Sequence, residues 1–362
     1  MMQWSEPNIG KEEKQAVLDL FESGWLSQGK KTAEFEKALA SYIGCKHVVA
    51  MNNGTSALLS GLLAHGIGRG DEVIVPTLTF IATVNAVIAT GATPVLADSD
   101  PDTWNISPST VEKKITSKTK AIIPVDVGGL PVDVVAFRQI CASRGLILIE
   151  DSAEALGAEY RGKRIGSFGH TCIFSFHMAK QLSTVEGGCV CTNDDTIAHS
   201  LRGLRNHGAD QIVKRDYNYP SFGLNLRTTD IQSAIGIAQL AKLESVLQHR
   251  KQLASLYMQE LGNRYTYQSM PSYATRNPYM FFGIIDKPGK RESTLNRLEK
   301  AAIPYRICWK PAHLQPYHQH LFHGSYPNAE CIASSIINVP MGNNLTEEDV
   351  LTVCRALKND AP

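Results

Sequence analysis

The stretch FSFHMAKQLSTVEGG, residues 174–188, determines how the rest of this sequence is interpreted. It begins with an alternating apolar run, which is typical of the end of a β-strand, and it ends with the glycine pair Gly187 and Gly188. Between them lies a polar cluster that contains His177 and Lys180. An isolated lysine is usually a solvated surface residue, but a lysine held in a turn can also act as a covalently reactive amine. The residues elsewhere in the chain determine which of these two interpretations of Lys180 is favoured.

Length and composition indicate an ordinary soluble globular protein. The chain has 362 residues, enough for one large domain and a smaller one, of which 43% are hydrophobic and 20% charged. The formal net charge of +1 gives no bias towards nucleic acid. No uncharged apolar run approaches membrane-spanning length, and the N-terminal MMQWSEPNIG lacks the parts of a signal peptide. The 8 cysteines show no metal-binding spacing, so we expect reduced thiols, no metal site and a cytoplasmic location.

Strand and helix patterns alternate along the first part of the chain. Strands are predicted at 47–51, 72–75, 93–97, 120–125, 146–149 and 189–192, and helices at 57–65, 80–89, 111–115, 134–143 and 194–204. This order predicts an α/β fold, with a three-layer αβα large domain built on a mixed, mostly parallel sheet. Ligands of such sheets bind beyond the carboxyl ends of the strands, where Ser56, Asp151 and Lys180 are expected to meet.

The domain boundary is expected near residue 245. A long helix starts at Thr229, and we expect it to end the large domain, residues 1–245. Residues 246–362 are predicted to form a small α+β C-terminal domain, and the N-terminal segment is expected to pack on it. A smaller prediction concerns the helix at 111–115, where Ser109 and Glu112 have the spacing of a capping box.

The sequence Gly54-Thr55-Ser56 lies between a strand and a strongly apolar helix. The first turn of that helix offers free backbone N–H groups, the positive end of the helix dipole and two hydroxyl groups, which together form an anion site. The alternative is a simple Ser or Thr cap, which is common at helix starts. A glycine-rich P-loop is absent.

Four features together match the demands of a pyridoxal 5'-phosphate (PLP) enzyme. PLP needs a lysine for the imine, an acid for the pyridine nitrogen, an anion cradle for the phosphate and an apolar cover for the ring. Lys180, Asp151, the Thr55-Ser56 turn with Ser175, and Phe80 can fill these roles. Singly, Asp151 could equally cap a turn and Phe80 could equally lie in the core. Their occurrence in order along one α/β chain favours the functional interpretation.

The chain also resembles the sugar aminotransferases of the DegT/DnrJ/StrS family, which are PLP enzymes with the fold type I architecture of aspartate aminotransferase. The resemblance covers essentially the whole chain. It rests on motifs in family order at residues 23–29, 53–58, 70–77, 79–83, 150–155, 174–188, 204–208 and 223–227.

The resemblance implies a role for each matching residue around the cofactor. Lys180 would form the covalent internal aldimine with PLP and shuttle protons, and Asp151 would pair with the pyridinium. The phosphate would be held by two side chains, those of Thr55 and Ser175, and by the amides of residues 54–56, which include Gly54 and Ser56. Phe80 would stack on the ring.

Two further roles follow from the resemblance. Glu154 would lie beside the phenolic oxygen of PLP. Asn225 would reach the phosphate of the neighbouring subunit's PLP, so the expected partner is a second copy of the chain, in a homodimer with active sites at the interface.

Some positions depart from the common family pattern or stay open. Glu154 is often Gln, although Glu occurs among enzymes that aminate C-4 of nucleotide-linked 4-keto-6-deoxysugars. Asp126 replaces a usual His. His177 would either contact substrate or pack. Trp309 and His313 lie in a segment that resembles the part facing the sugar nucleotide, although His313 could equally be a solvated loop residue.

The function implied is transfer of an amino group from L-glutamate to a nucleotide-linked ketosugar, with C-4 favoured, in ping-pong order and in the biosynthesis of lipopolysaccharide or related glycans. Alternatives are a 3-keto sugar or cyclitol ketone aminotransferase, a PLP-dependent sugar dehydratase and a non-catalytic PLP-binding regulator. The dehydratases replace the lysine by His, so Lys180 argues against them. Specificity is expected to lie in the small domain and in loops such as 208–222.

Overall fold

The computed structural model describes residues 2–209 and 218–358. Within them, a seven-stranded sheet has the order β1-β9-β8-β5-β4-β2-β3. Strands β2, β3, β4, β5 and β8 are parallel to their neighbours in this set, whereas β9 runs antiparallel to β1 and β8. The strands up to β9 are β1 His47–Met51, β2 Glu72–Pro76, β3 Thr93–Ala97, β4 Thr119–Ile122, β5 Ile147–Asp151, β6 Glu159–Tyr160, β7 Lys163–Arg164, β8 Thr171–Ser175 and β9 Gly188–Thr192.

Helices cover both faces of this sheet. The helices of the described residues are α1 Lys11–Ser23, α2 Lys30–Ile43, α3 Gly54–Ala64, α4 Ala82–Ala89, α5 Pro108–Glu112, α6 Val134–Arg144, α7 Asp195–Arg205, α8 Asp230–Ala241, α9 Leu243–Leu261, α10 Arg291–Lys300, α11 Pro327–Ser335 and α12 Glu347–Lys358. Side chains alternate across the strands, so Val190 packs with helices α3 and α4 while Cys189 and Cys191 pack with α2 on the other face. The predicted three-layer αβα fold with a mixed, mostly parallel sheet is therefore confirmed.

Two helices begin three residues earlier than predicted, α3 and α5. Helix α3 begins at Gly54 rather than at residue 57, because the Asn53 side chain caps it by accepting from the Ser56 amide at 2.8 Å. Helix α5 is capped by Ser107, whose Oγ accepts from the Thr110 amide at 3.2 Å, and not by the predicted pair Ser109 and Glu112. Ser107 and Ser109 are both close to the start of α5 and both carry a hydroxyl that can cap a helix, so the sequence spacing could not identify the one that does.

In the described part of the chain, two smaller sheets of three strands each complete the fold, one built from the second half of the chain and one that β6 and β7 share with a strand of that half. Strands β10 Thr266–Tyr267, β12 Phe282–Ile285 and β13 Ile336–Val339 form an antiparallel sheet whose core includes residues of α9, α10 and α12. Strand β11 Ala274–Arg276 pairs with β6, which ties this half to the first. The backbone amide of Met341 donates to the Trp4 carbonyl at 3.0 Å, so the N-terminal segment lies on the C-terminal half. Helix α9 runs across residue 245, and the domain boundary there stays a prediction.

Three global properties bear on function. Among the described residues, no helix is both long enough and apolar enough to cross a bilayer. The same part of the chain contains no group of three or more His, Cys, Asp or Glu side chains that could hold a metal ion. Every cysteine is a free thiol, including Cys189 and Cys191, whose sulfurs are 4.0 Å apart.

Candidate active site

A cavity of about 730 Å³ opens at the carboxyl ends of β5 and β8, beside the start of helix α3. This is the edge at which ligands of open α/β sheets bind. Most of the residues predicted from the sequence line it: Gly54, Thr55, Ser56, Phe80, Asp151, Glu154, Ser175, His177, Lys180 and Trp309. The topology thus gathers side chains that are far apart in sequence into one volume of ligand size.

Lys180 lies in the turn that follows β8. Its amide donates to the His177 carbonyl at 2.9 Å, and the base of the turn is closed by the Phe176 amide, which donates to the Gly187 carbonyl at 2.8 Å. The Lys180 Nζ donates to Glu154 Oε1 at 3.3 Å. The ammonium group is therefore held inside the cavity by the turn and by a carboxylate, and it is not a solvated surface lysine.

Asp151 is the last residue of β5 and is buried. Its Oδ2 accepts from the Thr83 hydroxyl at 2.8 Å, and its Oδ1 accepts from the Ala153 amide at 3.2 Å. Burial raises the pKa of the Asp151 carboxyl, against the hydrogen bonds from Thr83 and Ala153 and the charge of Lys180, which all lower it. The two hydrogen bonds and the nearby ammonium favour the ionised form that a pyridinium partner needs.

Glu154 is buried beside Lys180. Its Oε2 accepts from the Gly128 amide at 2.9 Å, while its Oε1 faces the lysine. Gly128 has a φ of 69°, in the left-handed region that glycine adopts without strain, and this conformation aims its N–H at the carboxylate. Burial raises the pKa of Glu154, and the charge of Lys180 is the largest influence that lowers it.

The start of helix α3 forms a possible anion cradle. The Ser56 amide is already bound by the cap residue Asn53. The amides of Gly54 and Thr55 belong to the first turn, where the helix itself provides no acceptor. The exposed Thr55 side chain adds a hydroxyl at the same place. An anion here would meet two N–H donors, one hydroxyl and the positive end of the helix dipole.

Glycines make this cradle possible by allowing close backbone approach. A Cβ on Gly188 would lie 2.6 Å from the Gly54 nitrogen and from the Asn53 carbonyl carbon. A Cβ on Gly54 would lie 3.0 Å from the Ser175 Cβ and 3.2 Å from its Oγ. The helix start therefore packs directly on the ends of β8 and β9, and Ser175 lies at the cradle.

Aromatic side chains lie in the cavity as well. Phe80 lines it with 58% of its surface exposed, which is unusual for so large an apolar side chain. A planar ligand ring would cover this face. Trp309 lines the cavity and packs edge-to-face against Phe281, with ring centroids 5.5 Å apart.

The model of the DegT/DnrJ/EryC1/StrS aminotransferase family matches residues 7–358. The chain belongs to this family. It is 41% identical over 360 residues to GDP-perosamine synthase of Caulobacter vibrioides, a match that covers 97% of this chain and 96% of the relative. It is 37% identical over 354 residues to GDP-perosamine synthase of Escherichia coli O157:H7, covering 97% and 96%.

Solved structures agree with the sequence relatives. The PLP form of the sugar aminotransferase Spr1654 from Streptococcus pneumoniae superposes with a TM-score of 0.94 at 28% identity, covering 99% of this chain and 97% of that chain. The predicted family is thus confirmed, and the chain is a PLP-dependent aminotransferase.

The cavity of this family member fits PLP on its own observations. An amine and a buried carboxylate, Lys180 and Asp151, lie in one volume, and an exposed aromatic face, Phe80, lies in it too. The start of helix α3 also lines this cavity, and Gly54 and Gly188 let its backbone pack directly on the ends of β8 and β9. The chemistry of this donor set matches an aldehyde, a protonated ring nitrogen, a ring face and a phosphate.

Two predicted residues are not brought into this cavity. His313 is buried outside the lining, with its Nδ1 2.7 Å from the Thr77 hydroxyl and its Nε2 3.3 Å from Glu330. It is therefore neither a solvated loop residue nor part of the lining. Asn225 is exposed and pairs with Asn206 in an isolated bridge, so its predicted reach to a neighbouring subunit stays a prediction. Of the loop at 208–222, residues 210–217 lie outside the described residues.

Asp126, the position that departs from the family pattern, also lies outside the lining. It is fully buried, and it accepts from the Ser152 hydroxyl at 2.6 Å and from the Val132 amide at 2.9 Å. Burial raises the pKa of Asp126 well above its ordinary value, as does the nearby Glu150. Its bonds tie the turn after β4 to the end of β5, which is a structural role.

Several residues that line the cavity had no predicted role, among them Trp4, Glu186 and Arg306. Glu186 had a signal, since it lies in the opening stretch directly before the glycine pair. Trp4 and Arg306 had none, because both reach the site only through pairing with the small sheet, where Arg306 and Asn338 exchange backbone hydrogen bonds.

Proposed function

We propose that this family member transfers an amino group from L-glutamate to the C-4 carbonyl of a nucleotide-linked 4-keto-6-deoxyhexose. The observation that carries the proposal is the pair of relatives, 41% and 37% identical over nearly the whole chain, whose name specifies a product that is a nucleotide-linked 4-amino sugar. The buried Glu154 beside Lys180 supports it, since Glu at this position is the variant found among C-4 enzymes.

PLP, when bound, supplies an electron sink for the charge that develops at the substrate carbon. The chain's own residues then have two tasks around it. Lys180 would hold the cofactor's aldehyde through Nζ, and its amine, when free, would move the proton at the substrate carbon. Asp151 holds the proton on the ring nitrogen, and its bond from Thr83 keeps the carboxylate ionised and oriented.

Binding is divided among the remaining lining residues. The amides of Gly54 and Thr55, with the Thr55 and Ser175 hydroxyls, hold the phosphate. Phe80 covers the ring and excludes water from one face. Glu154 fixes the position of Lys180 and would face the phenolic oxygen of the cofactor.

The proposal includes a homodimer in which Asn225 of each subunit reaches the phosphate site of the other. Its support is the exposure of Asn225 on a segment tied to residue 206. The free thiols support a reducing, cytoplasmic setting, and the relatives' names support a place in the synthesis of amino sugars for lipopolysaccharide or a related glycan.

The test supplies purified protein, L-glutamate and matched panels of nucleotide-linked 4-keto-6-deoxysugars and 3-keto isomers, with product identification by mass and NMR. We expect turnover with a 4-keto sugar and loss of the cofactor's yellow absorbance and of turnover in Lys180→Ala. No turnover with any 4-keto-6-deoxysugar would contradict the C-4 assignment. Full transamination by Lys180→Ala would contradict the role of the lysine.

A further inference from the structure

A second pair of polar side chains faces the cavity beside the Lys180 turn. His177 and Glu186 both line it, and His177 Nε2 lies 3.7 Å from Glu186 Oε1. Both side chains are about half exposed, at 46% and 57%. The cofactor roles proposed above use neither residue.

The hydrogen bonds of His177 indicate which nitrogen carries its proton. Nδ1 accepts from the Ala179 amide at 3.3 Å, so in the neutral ring the proton lies on Nε2. That nitrogen faces Glu186, which when ionised can only accept. The pair therefore presents one donor and one acceptor to the cavity, separated by slightly more than a hydrogen bond.

The backbone around Glu186 is held in an unfavourable conformation. The preceding Val185 has a φ of 70°, which is a rare conformation for a β-branched residue, and its side chain is 57% exposed. Glu186 itself is fixed by its carbonyl, which accepts from the Thr184 hydroxyl at 2.7 Å and from Gln232 Nε2 at 2.6 Å. An exposed ion pair contributes little to stability, so the His177–Glu186 pair does not offset the strain at Val185. Strain of this kind is typical of functional positions.

We propose that His177 and Glu186 together bind one hydroxyl group of the sugar acceptor and so select the acceptor over other ketones. The hydroxyl oxygen accepts from His177 Nε2, and its proton is donated to Glu186. An oxygen about 2.8 Å from both atoms would make an angle of roughly 80° between them at the observed separation, which is narrower than the tetrahedral angle at a hydroxyl, so the two half-exposed side chains would move slightly apart on binding. The inference rests on the proposed function, since it requires a polyhydroxylated substrate.

Other charged groups of the lining are less suited to this task. Lys180 and Glu154 are paired with each other, and Asp151 is buried with its oxygens bound. Arg306 can donate but not accept. L-Glutamate has no alcohol hydroxyl group, so we expect the pair to act in the second half-reaction and not in the first.

The experiment separates the two half-reactions in His177→Phe, Glu186→Gln and the double variant. A matched control is His47→Phe, which breaks a surface His–carboxylate pair with Asp195 outside the cavity lining. We expect the cofactor absorbance change with L-glutamate to keep its rate within about twofold. We expect kcat/KM for the ketosugar to fall roughly tenfold to hundredfold, mainly through KM, because each variant leaves a polar partner unmatched.

A deoxy analogue series then identifies the hydroxyl. Wild-type enzyme should discriminate against one ketosugar lacking a single hydroxyl, and the variants should lose that discrimination. Equal losses in both half-reactions, or unchanged acceptor kinetics, would overturn the inference alone. Wild-type protein that reacts with L-glutamate but with no ketosugar would overturn the proposed function, and the inference with it.

Discussion

The hydroxyl of Thr83 provides the most direct test of how the cavity controls Asp151. Thr83 is buried in helix α4, and its Oγ1 lies 2.8 Å from Asp151 Oδ2, 2.9 Å from the Thr79 hydroxyl and 3.2 Å from the Phe80 carbonyl. A hydroxyl has one proton to donate, and a carboxylate at the shortest distance is the strongest of these acceptors. Thr79 can then donate to Thr83. Thr83→Val removes the donor and nearly preserves the shape.

The magnitude follows from the charge of the acceptor. A hydrogen bond to an ionised group contributes about 1.5–3 kcal/mol, which corresponds to roughly a tenfold to hundredfold change in an equilibrium constant. Burial already raises the pKa of Asp151, and the Thr83 bond is the largest of the interactions that oppose it. Loss of that bond raises the pKa of Asp151 further, so its charged form is lost at a higher pH. At alkaline pH the variant should approach wild-type activity.

The assay is the pH dependence of the half-reaction with L-glutamate, together with an absorbance titration of the bound cofactor. The acidic limb of both profiles should move to higher pH in Thr83→Val. Thr192→Val, a buried threonine on β9 outside the cavity lining, serves as the matched control and should not move it. A uniform fall at every pH, or a move to lower pH, would refute the assignment of the Thr83 proton to Asp151.

Three further changes test burial, close approach and strain. Burial raises the pKa of Glu150 to about 8 from its ordinary value of 4.5, so the folded state binds an extra proton between these values and stability falls as pH rises through this window. In Glu150→Gln, Tm should fall less between pH 5 and 8.5 than it does in the wild-type protein. Parallel plots of Tm against pH for the two proteins would contradict this expectation. Gly188→Ala puts a Cβ against the backbone of Gly54, so it should lower the free energy of unfolding in urea by about 1–3 kcal/mol and weaken PLP binding. The control Gly68→Ala, whose Cβ meets nothing closer than 3.7 Å, should do neither. Val185→Gly should stabilise the fold by up to about 1 kcal/mol in thermal unfolding, because it relieves a left-handed conformation, and a clear loss of stability would contradict the strain.

Much of the site could be predicted because its residues come from strand ends. Asp151 ends β5, Ser175 ends β8, and Gly54 starts the helix after β1. In a parallel sheet these ends lie on one edge, so period-2 and period-3.6 patterns were enough to bring them together before any distance was known. The turn that holds Lys180 was visible for the same reason, since it follows a strand directly.

The positions of the other residues near the site depend on long-range contacts, which a local sequence pattern does not reveal. Arg306 lines the cavity because its backbone pairs with Asn338 of the small sheet, a long-range register. His313 follows Arg306 by seven residues, but its ring is buried and its Nδ1 contacts the Thr77 hydroxyl instead of the cavity. Glu186 lies in the stretch that the sequence singles out, but its placement depends on the φ of Val185, a conformation that sequence rules assign to glycine and not to valine.

Glu150 and Asp151 are adjacent buried carboxyl groups, but the fold favours ionisation of only one of them, Asp151. As neighbours on a strand they point to opposite faces of the sheet, and both are buried. Glu150 meets a histidine, His170 Nε2 at 2.9 Å. Burial raises the pKa of Glu150 to about 8 and lowers the pKa of His170 to about 3, so both groups favour their neutral forms near pH 7 and the carboxyl can donate to the ring. Asp151 instead receives the Thr83 hydroxyl, the Ala153 amide and the field of Lys180, all of which favour its anion. Because its neighbour is uncharged, Asp151 is not repelled by a second carboxylate on the next residue, and its negative charge remains available for a cationic ring.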